Sequence, residues 1–374
     1  MIDSVVLQLS EDLFTIKNEL VFDGYKKQSG KGYSTSRQYI KSLRDKEIKS
    51  ERYFPMIDLH KVRSGSKWLN DTLEIQVSLP KLLYGTNLFE IDKNDYSKIR
   101  DKLIQALDKV NIILSQDFLE KTIVKRADFS KVIKISKYFG RAEDIIYKLS
   151  RFNYKPCSDF KLVNKDCLDG IDGMYIKFYN TSQGYVIYDK FAEIDRQGYT
   201  SVEKSLMNIS NNKKMKNNVI RFELSLQKKQ TFNSVIGKRK EVKKKNYNLE
   251  DIMDIVLIKG LMLEYFNKVF NSVSIGLVSL AEMKENELLS YLEASGISQL
   301  KIESMYYWVN MTTKFGIKGV WKKISDSYSG GGIARKKKEI ALVMMELGEI
   351  PTDTPNLVNY LRDEHKEFKI IRPS

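Results

Sequence analysis

Several stretches of the chain alternate hydrophobic and polar residues, the period-two signature of a strand with one buried face. Across 73–79, Leu73, Ile75, Val77 and Leu79 point one way while Glu74, Gln76 and Ser78 point the other. Across 220–226, Ile220, Phe222, Leu224 and Leu226 oppose Arg221, Glu223 and Ser225. The same style recurs around 124–128, 174–179 and 184–190. There Arg126 shares a face with Asp128, Tyr175 with Lys177 and Tyr179, and Tyr188 with Lys190. The pattern predicts strands over 3–9, 52–59, 71–79, 122–134, 173–180, 184–191 and 218–228, with helices over 95–115 and 141–152. From about 249 onward the spacing turns helical, over 250–270, 297–315 and 334–347, broken at Gly316, Gly319 and Gly330–Gly332. The fold class expected is α+β: a mainly antiparallel sheet with helices on one face, followed by a mostly helical domain that is a candidate winged helix.

Composition narrows the partners. The net charge is +15, and residues 213–245 hold twelve Lys or Arg against Glu223 and Glu241. Such a field suits a polyanion, because phosphate neutralised by lysine releases condensed counterions. Lys238, Arg239, Lys243, Lys244 and Lys245 are the expected DNA contacts, on an exposed linker that separates a domain over 1–245 from one over 246–374. Arg335, Lys336 and Lys337, at the start of a helix after three glycines, are a second set. No run of 18 uncharged apolar residues occurs, so no membrane span is expected and the cytoplasm is the expected location. Cys157 and Cys167 match neither a disulfide framework nor a zinc site. The glycines of 24–32 lack the spacing and the Ser or Thr of a phosphate-binding loop, so no ATP site is expected.

Charges facing water on a half-covered sheet would also alternate, but Glu and Asp beside Arg, Lys and Tyr at mid-strand mark a candidate site. A tyrosine oxygen is a competent nucleophile toward a phosphodiester, and Mg²⁺ or Mn²⁺ held by carboxylates would neutralise the transition state. Lys190, two residues from Tyr188, is placed to lower the phenol pKa or to meet the phosphate.

Met1-Ile2-Asp3 leading to Val6-Leu7-Gln8-Leu9, the run Glu74-Ile75-Gln76-Val77-Ser78-Leu79-Pro80-Lys81, Arg126-Ala127-Asp128, Tyr188-Asp189-Lys190 and Arg221-Phe222-Glu223 follow one another in order. In that order the chain resembles the gene II (phage X) replication proteins of filamentous phages, over about residues 1–230 and more faintly over 306–351. The resemblance implies an open-faced nuclease sheet of the HUH or Rep-like kind. It also implies a rolling-circle initiator whose tyrosine attacks an origin phosphodiester, stays on the 5′ phosphate and frees a 3′ hydroxyl. Carried across, Tyr188 is the nucleophile and Asp128 a metal ligand, with Arg126, Arg221 and Lys190 beside them. The superfamily's His-hydrophobe-His metal motif is absent, since only His60 and His365 occur. The metal is therefore assigned to Glu74, Asp128 and Glu223.

Staphylococcal plasmid initiators, more distantly similar, carry their tyrosine one strand earlier, which points to Tyr175 or, failing it, Tyr179. The partners implied are single- and double-stranded DNA at a replication origin, with a host helicase and polymerase. A non-catalytic origin-binding initiator and a mobilisation relaxase are the alternatives.

Overall fold

A computed structural model describes residues 1–17, 26–27, 36–42, 53–64, 67–150, 152, 161–163, 175–197, 203, 219–240 and 243–372. Cys157, Cys167, Lys213, Lys214, Lys216, Glu241 and most of 24–32 lie outside them. The strands are β1 (Ile2–Ser10), β2 (Phe14–Ile16), β3 (Lys26–Lys27), β4 (Ser36–Ser42), β5 (Met56–Ser64), β6 (Lys67–Ser78), β7 (Ile112–Leu114), β8 (Ile123–Lys134), β9 (Lys161–Val163), β10 (Tyr175–Tyr179), β11 (Gln183–Asp189) and β12 (Val219–Leu226). Ten of them form one sheet in the order β3-β4-β5-β6-β1-β8-β12-β11-β10-β9, and β2 pairs with β7 separately. Every recorded pairing is antiparallel.

The order has internal logic. β1 leads a group whose strands β6, β5 and β4 run outward from it, and β8 leads a second whose strands β12, β11, β10 and β9 run outward the other way. The two leaders pair at the centre. The sheet thus consists of two similarly wound halves, and Leu73–Leu79 and Ile220–Leu226 occupy equivalent strands in them.

One face is mostly apolar, interrupted by Lys131 of β8, which is buried there and paired with Glu90. Val5, Leu7 and Leu9 of β1, Leu73, Ile75 and Val77 of β6, Phe129 and Ile133 of β8, Phe222 and Leu224 of β12, and Tyr185 and Ile187 of β11 are all buried. Helices cover it: α1 (Leu79–Tyr84) lies against β1 and β6, α2 (Tyr96–Asp108) against α1, α3 (Phe118–Lys121) precedes β8, α4 (Ala142–Ser150) packs on β10 and β11, and α5 (Lys190–Gln197) follows β11. After β12, α6 (Lys229–Gly237) leans on β8 and β12, and α7 (Leu249–Ile252) precedes α8 (Ile255–Val269). The chain ends with α9 (Ser272–Leu280), α10 (Glu285–Ala294), α11 (Gln299–Ser327), α12 (Gly330–Leu347) and α13 (Asp353–Glu367).

The expected helix over 95–115 stops at Asp108. Asn111 takes a left-handed φ of 59°, tolerable for its short polar side chain, and turns the chain into β7. Helix α11 is broken at Gly316, where φ is 63°, as the glycine position led us to expect. Gly330–Gly332 open α12 rather than preceding it, because Ser329 takes the N-cap position. Beyond Leu226 the described residues contain no strand, so the C-terminal part has no β-hairpin wing there.

The boundary expected at residue 245 does not separate two cores. Phe266 of α8 meets Phe222 of β12 edge-to-face at 6.0 Å, and His365 of α13 meets the same ring edge-to-face at 4.6 Å. Helices from the C-terminal third therefore supply part of the layer that covers the sheet. Nor do the described residues around residue 245 hang free, for the Asn233 side chain donates to the Lys245 carbonyl and Val124 N to the Tyr247 carbonyl.

Candidate active site on the polar face of the sheet

Cross-strand register aligns the polar face. Tyr175 of β10 lies opposite Tyr188 of β11, which lies opposite Arg221 of β12, which lies opposite Val132 of β8. One step along, Glu223 is opposite Ser130, and one further step sets Ser225 opposite Asp128, itself opposite Ser4 of β1. Tyr188, Arg221, Glu223 and Asp128 thus stand on neighbouring positions of one face. Glu223 and Asp128 are diagonal neighbours, about 7–8 Å apart between backbones.

Arg221 is the centre of the cluster and is 1% exposed. It donates to the Asn87 carbonyl at 2.7 Å and to Ser130 Oγ at 3.0 Å, and pairs with Asp3 at 2.8 Å and Glu223 at 3.7 Å. Burying a guanidinium is costly unless its fork is satisfied; here both terminal nitrogens are hydrogen-bonded, while Nε has no hydrogen-bond partner and meets only the charge of Glu223. Burial opposes its charge, but Asp3, Tyr188 and Glu223 outweigh burial and hold it protonated well above its ordinary range. On Asp3, burial pushes upward and Arg221 prevails in the other direction, keeping the carboxyl below its usual value.

The Tyr188 hydroxyl donates to Glu223 Oε2 at 3.1 Å. Burial raises the phenol well above its ordinary pKa, and Arg221 works against that rise. Glu223 is pushed up to about 7, first by burial, against Arg221, with Asp3 and Asp128 adding to the rise. Lys190 opens α5, is 1% exposed, and pairs with Glu193. Its ammonium lies 5.8 Å from the Tyr188 ring centroid, and burial and then Arg221 lower its pKa. A tyrosine with a proton acceptor in hydrogen-bond contact and two cations within reach is suited to attack on an anionic phosphorus centre.

Asp128 Oδ2 accepts from the Ser4 hydroxyl and from Arg126 at 3.2 Å. Its Oδ1 is buried with no hydrogen-bond partner, an orphan acceptor that suits a cation. Among the described residues, however, no three His, Cys, Asp or Glu side chains are grouped to hold an ion. A cation here fits the sparse mode of Mg²⁺, in which one or two carboxylates are completed by water and substrate phosphate.

Glu74 is not part of this cluster. It faces Gln8, whereas Asp128 is in line with Ser4 and Ser78. Four residues along and two strands across put its backbone roughly 16 Å from that of Asp128, too far to share an ion. It instead pairs with Lys125 and with His60 at 3.6 Å. Burial pushes its pKa up, and His60 and Lys125 together bring it below the ordinary value.

The expected DNA contacts divide. Arg239 and Lys244 are drawn onto Glu264 and Asp251, as the neighbouring Lys240 is onto Asp254, while Lys238, Lys243 and Lys245 stay exposed. In α12, Arg335 and Lys338 are exposed, but Lys336 lies over Trp308 and Lys337 over Trp321, at 5.9 and 5.1 Å from the ring centroids. Tyr179 lies opposite Gly184 on the same face as Tyr175, and Lys177 sits 5.4 Å from its ring. A cleft of about 640 Å³ between 92–94, Lys240 and 250–255 contains none of the site residues on the sheet.

Sequence reasoning missed Asp3, Ser130 and Asn87, which hold Arg221. Asp3 has the parity of Val5, Leu7 and Leu9, and alternation alone assigns it to the covered face. A bulge between Ile2 and Ser4 breaks that parity. The signal available was one carboxylate inside an otherwise apolar start.

No family model matches the chain, and no curated protein or solved structure matches it.

Proposed function

We propose that the protein is a DNA strand-nicking enzyme that uses Tyr188 as nucleophile, the activity of a rolling-circle replication initiator. The observation that carries the reading is the Tyr188 hydroxyl donating to Glu223 beside the buried Arg221. Tyr188 Oη attacks the phosphorus of a backbone phosphodiester, and Glu223 takes the phenol proton as the new P–O bond forms. The P–O3′ bond breaks, leaving a 5′-phosphotyrosine and a 3′ oxygen that takes up a proton from solvent.

Arg221, fixed by Asp3, Asn87 and Ser130, needs no reorganisation to face the charge that builds on the phosphoryl oxygens. Asp128 would hold Mg²⁺ or Mn²⁺ through Oδ1, with Glu223 the nearest second carboxylate, and that ion would supply further neutralisation of the phosphate. Ser4 and Arg126 orient Asp128. Its place in a replicon, with origin DNA as substrate and a host helicase and polymerase as successors, belongs to the same proposal. So does a DNA-binding role for the helices after residue 249.

The test is incubation of the protein with supercoiled circles of its own replicon plus Mg²⁺ or Mn²⁺. Nicked circles carrying covalently attached protein are expected. Circles that bind but stay intact would leave a binding protein without this chemistry.

A further inference from the structure

At the end of the sheet away from Tyr188, cations from three chain segments meet on the polar face. β8 is bulged there: Arg126 pairs with Val6 and Val124 with Leu7, which leaves Lys125 as the extra residue. Consecutive strand residues ordinarily face opposite ways, but a bulge re-aims one of them. Lys125 accordingly reaches Glu74 on the same face on which Arg126 reaches Asp128. The chain leaves β12 at Leu226, opposite Ala127, and Lys228 and Lys229 follow at the start of α6, which packs on β8, with Lys229 close enough to Lys125 to feel its charge. Lys245 joins from the following loop, its carbonyl held by the Asn233 side chain of α6 at 2.6 Å. The crowding is felt electrostatically: Lys229 is lowered by desolvation first, then by the charges of Lys125 and Lys245.

Five cations face two carboxylates in this patch, Glu74 and Asp128. Elsewhere in the same region Arg239, Lys240 and Lys244 are drawn onto acids. A fold that pairs Lys125 and Arg126 with acids and still crowds Lys229 against Lys125 and Lys245 stores repulsion that a polyanion would relieve. The spread over β8, α6 and the loop suits a row of phosphates better than one small anion.

We infer that Lys125, Lys229 and Lys245, with Arg126 and Lys228, grip the backbone phosphates of the duplex bordering the strand presented to Tyr188. The identity of the polyanion as DNA rests on the proposed nicking function. From Arg221 to Gln227 the strand covers about 20 Å, so the grip sits roughly six phosphates along one strand of a duplex from the reacting tyrosine. The bulge at Lys125 is the device that puts two adjacent cations on the DNA side.

The experiment measures binding of the full chain to a fluorescein-labelled duplex of arbitrary sequence by anisotropy across a salt series, without nicking conditions. The triple variant Lys125→Gln, Lys229→Gln, Lys245→Gln should lower the slope of log K against log salt by roughly two to three. A control triple of exposed lysines elsewhere, Lys98→Gln, Lys102→Gln, Lys366→Gln, should leave it unchanged. Lys229→Gln alone removes a crowded charge that no carboxylate among the described residues pairs with. It should lower the slope by about one while keeping the melting temperature equal or higher. An unchanged slope in the triple variant, or an equal fall in the control, overturns the inference. Because binding is read without cleavage, a protein that shows the slope change yet never nicks sinks only the tyrosine reading.

Discussion

Glu223 accepts the hydrogen bond of Tyr188 from the adjacent strand, at 3.1 Å, while its own strand neighbour Arg221 pairs with the same oxygen at 3.7 Å. One carboxylate thereby answers to a proton donor and to a fixed positive charge at once. The pairing across β11 and β12 makes Glu223 a proton acceptor first, where sequence reasoning had made it only a metal ligand.

Tyr188→Phe should abolish the covalent protein–DNA adduct while leaving duplex binding within a small factor of wild type. The ring stays, one hydrogen bond to Glu223 goes, and the fold should lose at most ~1 kcal/mol. Tyr175→Phe is the informative companion, since Tyr175 is the register partner of Tyr188 on the same face. Denaturing gels of a single-stranded origin oligonucleotide read both. An adduct that survives in Tyr188→Phe and vanishes in Tyr175→Phe would move the nucleophile one strand outward.

Glu223 gives a pH dependence of defined sign. Its folded pKa, about 7, stands above the ordinary 4.5, so the folded state holds the proton more tightly than the unfolded chain. Between about 4.5 and 7 the native state binds more protons, and stability attributable to this group falls as pH rises through that window. Glu223→Gln cannot ionise and should therefore gain melting temperature relative to wild type as pH is raised from below 5 to above 7. In the same window wild-type nicking should rise as the carboxylate becomes able to accept the phenol proton, and Glu223→Gln should lose that rise. Melting curves recorded without divalent metal separate the stability effect from the chemistry. A difference in melting temperature that stays flat with pH would remove the basis for the raised pKa.

Asp128 and Glu74 were assigned one shared ion from sequence, and the register separates them. Asp128→Asn should abolish the shift in melting temperature that Mn²⁺ produces in wild type, since it removes the charge of the carboxylate bearing the orphan oxygen. Glu74→Gln should keep that shift. It should instead lose modest stability by breaking the contacts to Lys125 and His60. If Glu74→Gln alone lost the Mn²⁺ response, the ion would sit on the other half of the sheet.

What was legible in the sequence is what period-two alternation encodes. Leu73–Leu79 and Ile220–Leu226 gave two strands with the correct face outward, and Tyr188, Arg221, Glu223 and Asp128 come together because each has the right parity. Parity says nothing about distance along a strand or the number of strands between, which is why Glu74 was grouped with Asp128. It also fails at bulges, which hid Asp3 and the orientation of Lys125. Contacts between distant segments leave no local trace. The Asn87 carbonyl that accepts from Arg221 and the edge-to-face contacts of Phe266 and His365 with Phe222 are of this kind. They also show why a charge run does not by itself mark a domain boundary.

His365 tests that last point. It is fully buried on α13, its Nδ1 is 2.7 Å from the Leu361 carbonyl, and its ring lies against Phe222 and Phe266. Burial lowers its pKa from 6.5 to about 4, so the fold favours the neutral ring. The unfolded chain binds a proton that the native state refuses over that interval. Stability from this group is therefore present in full above about pH 6.5 and is lost as pH falls toward 4. The interval corresponds to roughly 3 kcal/mol, taking about 1.4 kcal/mol per pH unit. His365→Leu removes the titration and keeps an apolar filler against the two phenylalanines. Urea denaturation should then show the wild type losing roughly 3 kcal/mol more than the variant between pH 7 and pH 4. The loss should appear in a probe on the sheet as well as in one on the helices, because His365 sits on Phe222, one residue from both Arg221 and Glu223. If the helices after residue 245 melted with the His365 dependence while the sheet did not, the two parts would be separate cooperative units and the shared core would not couple them.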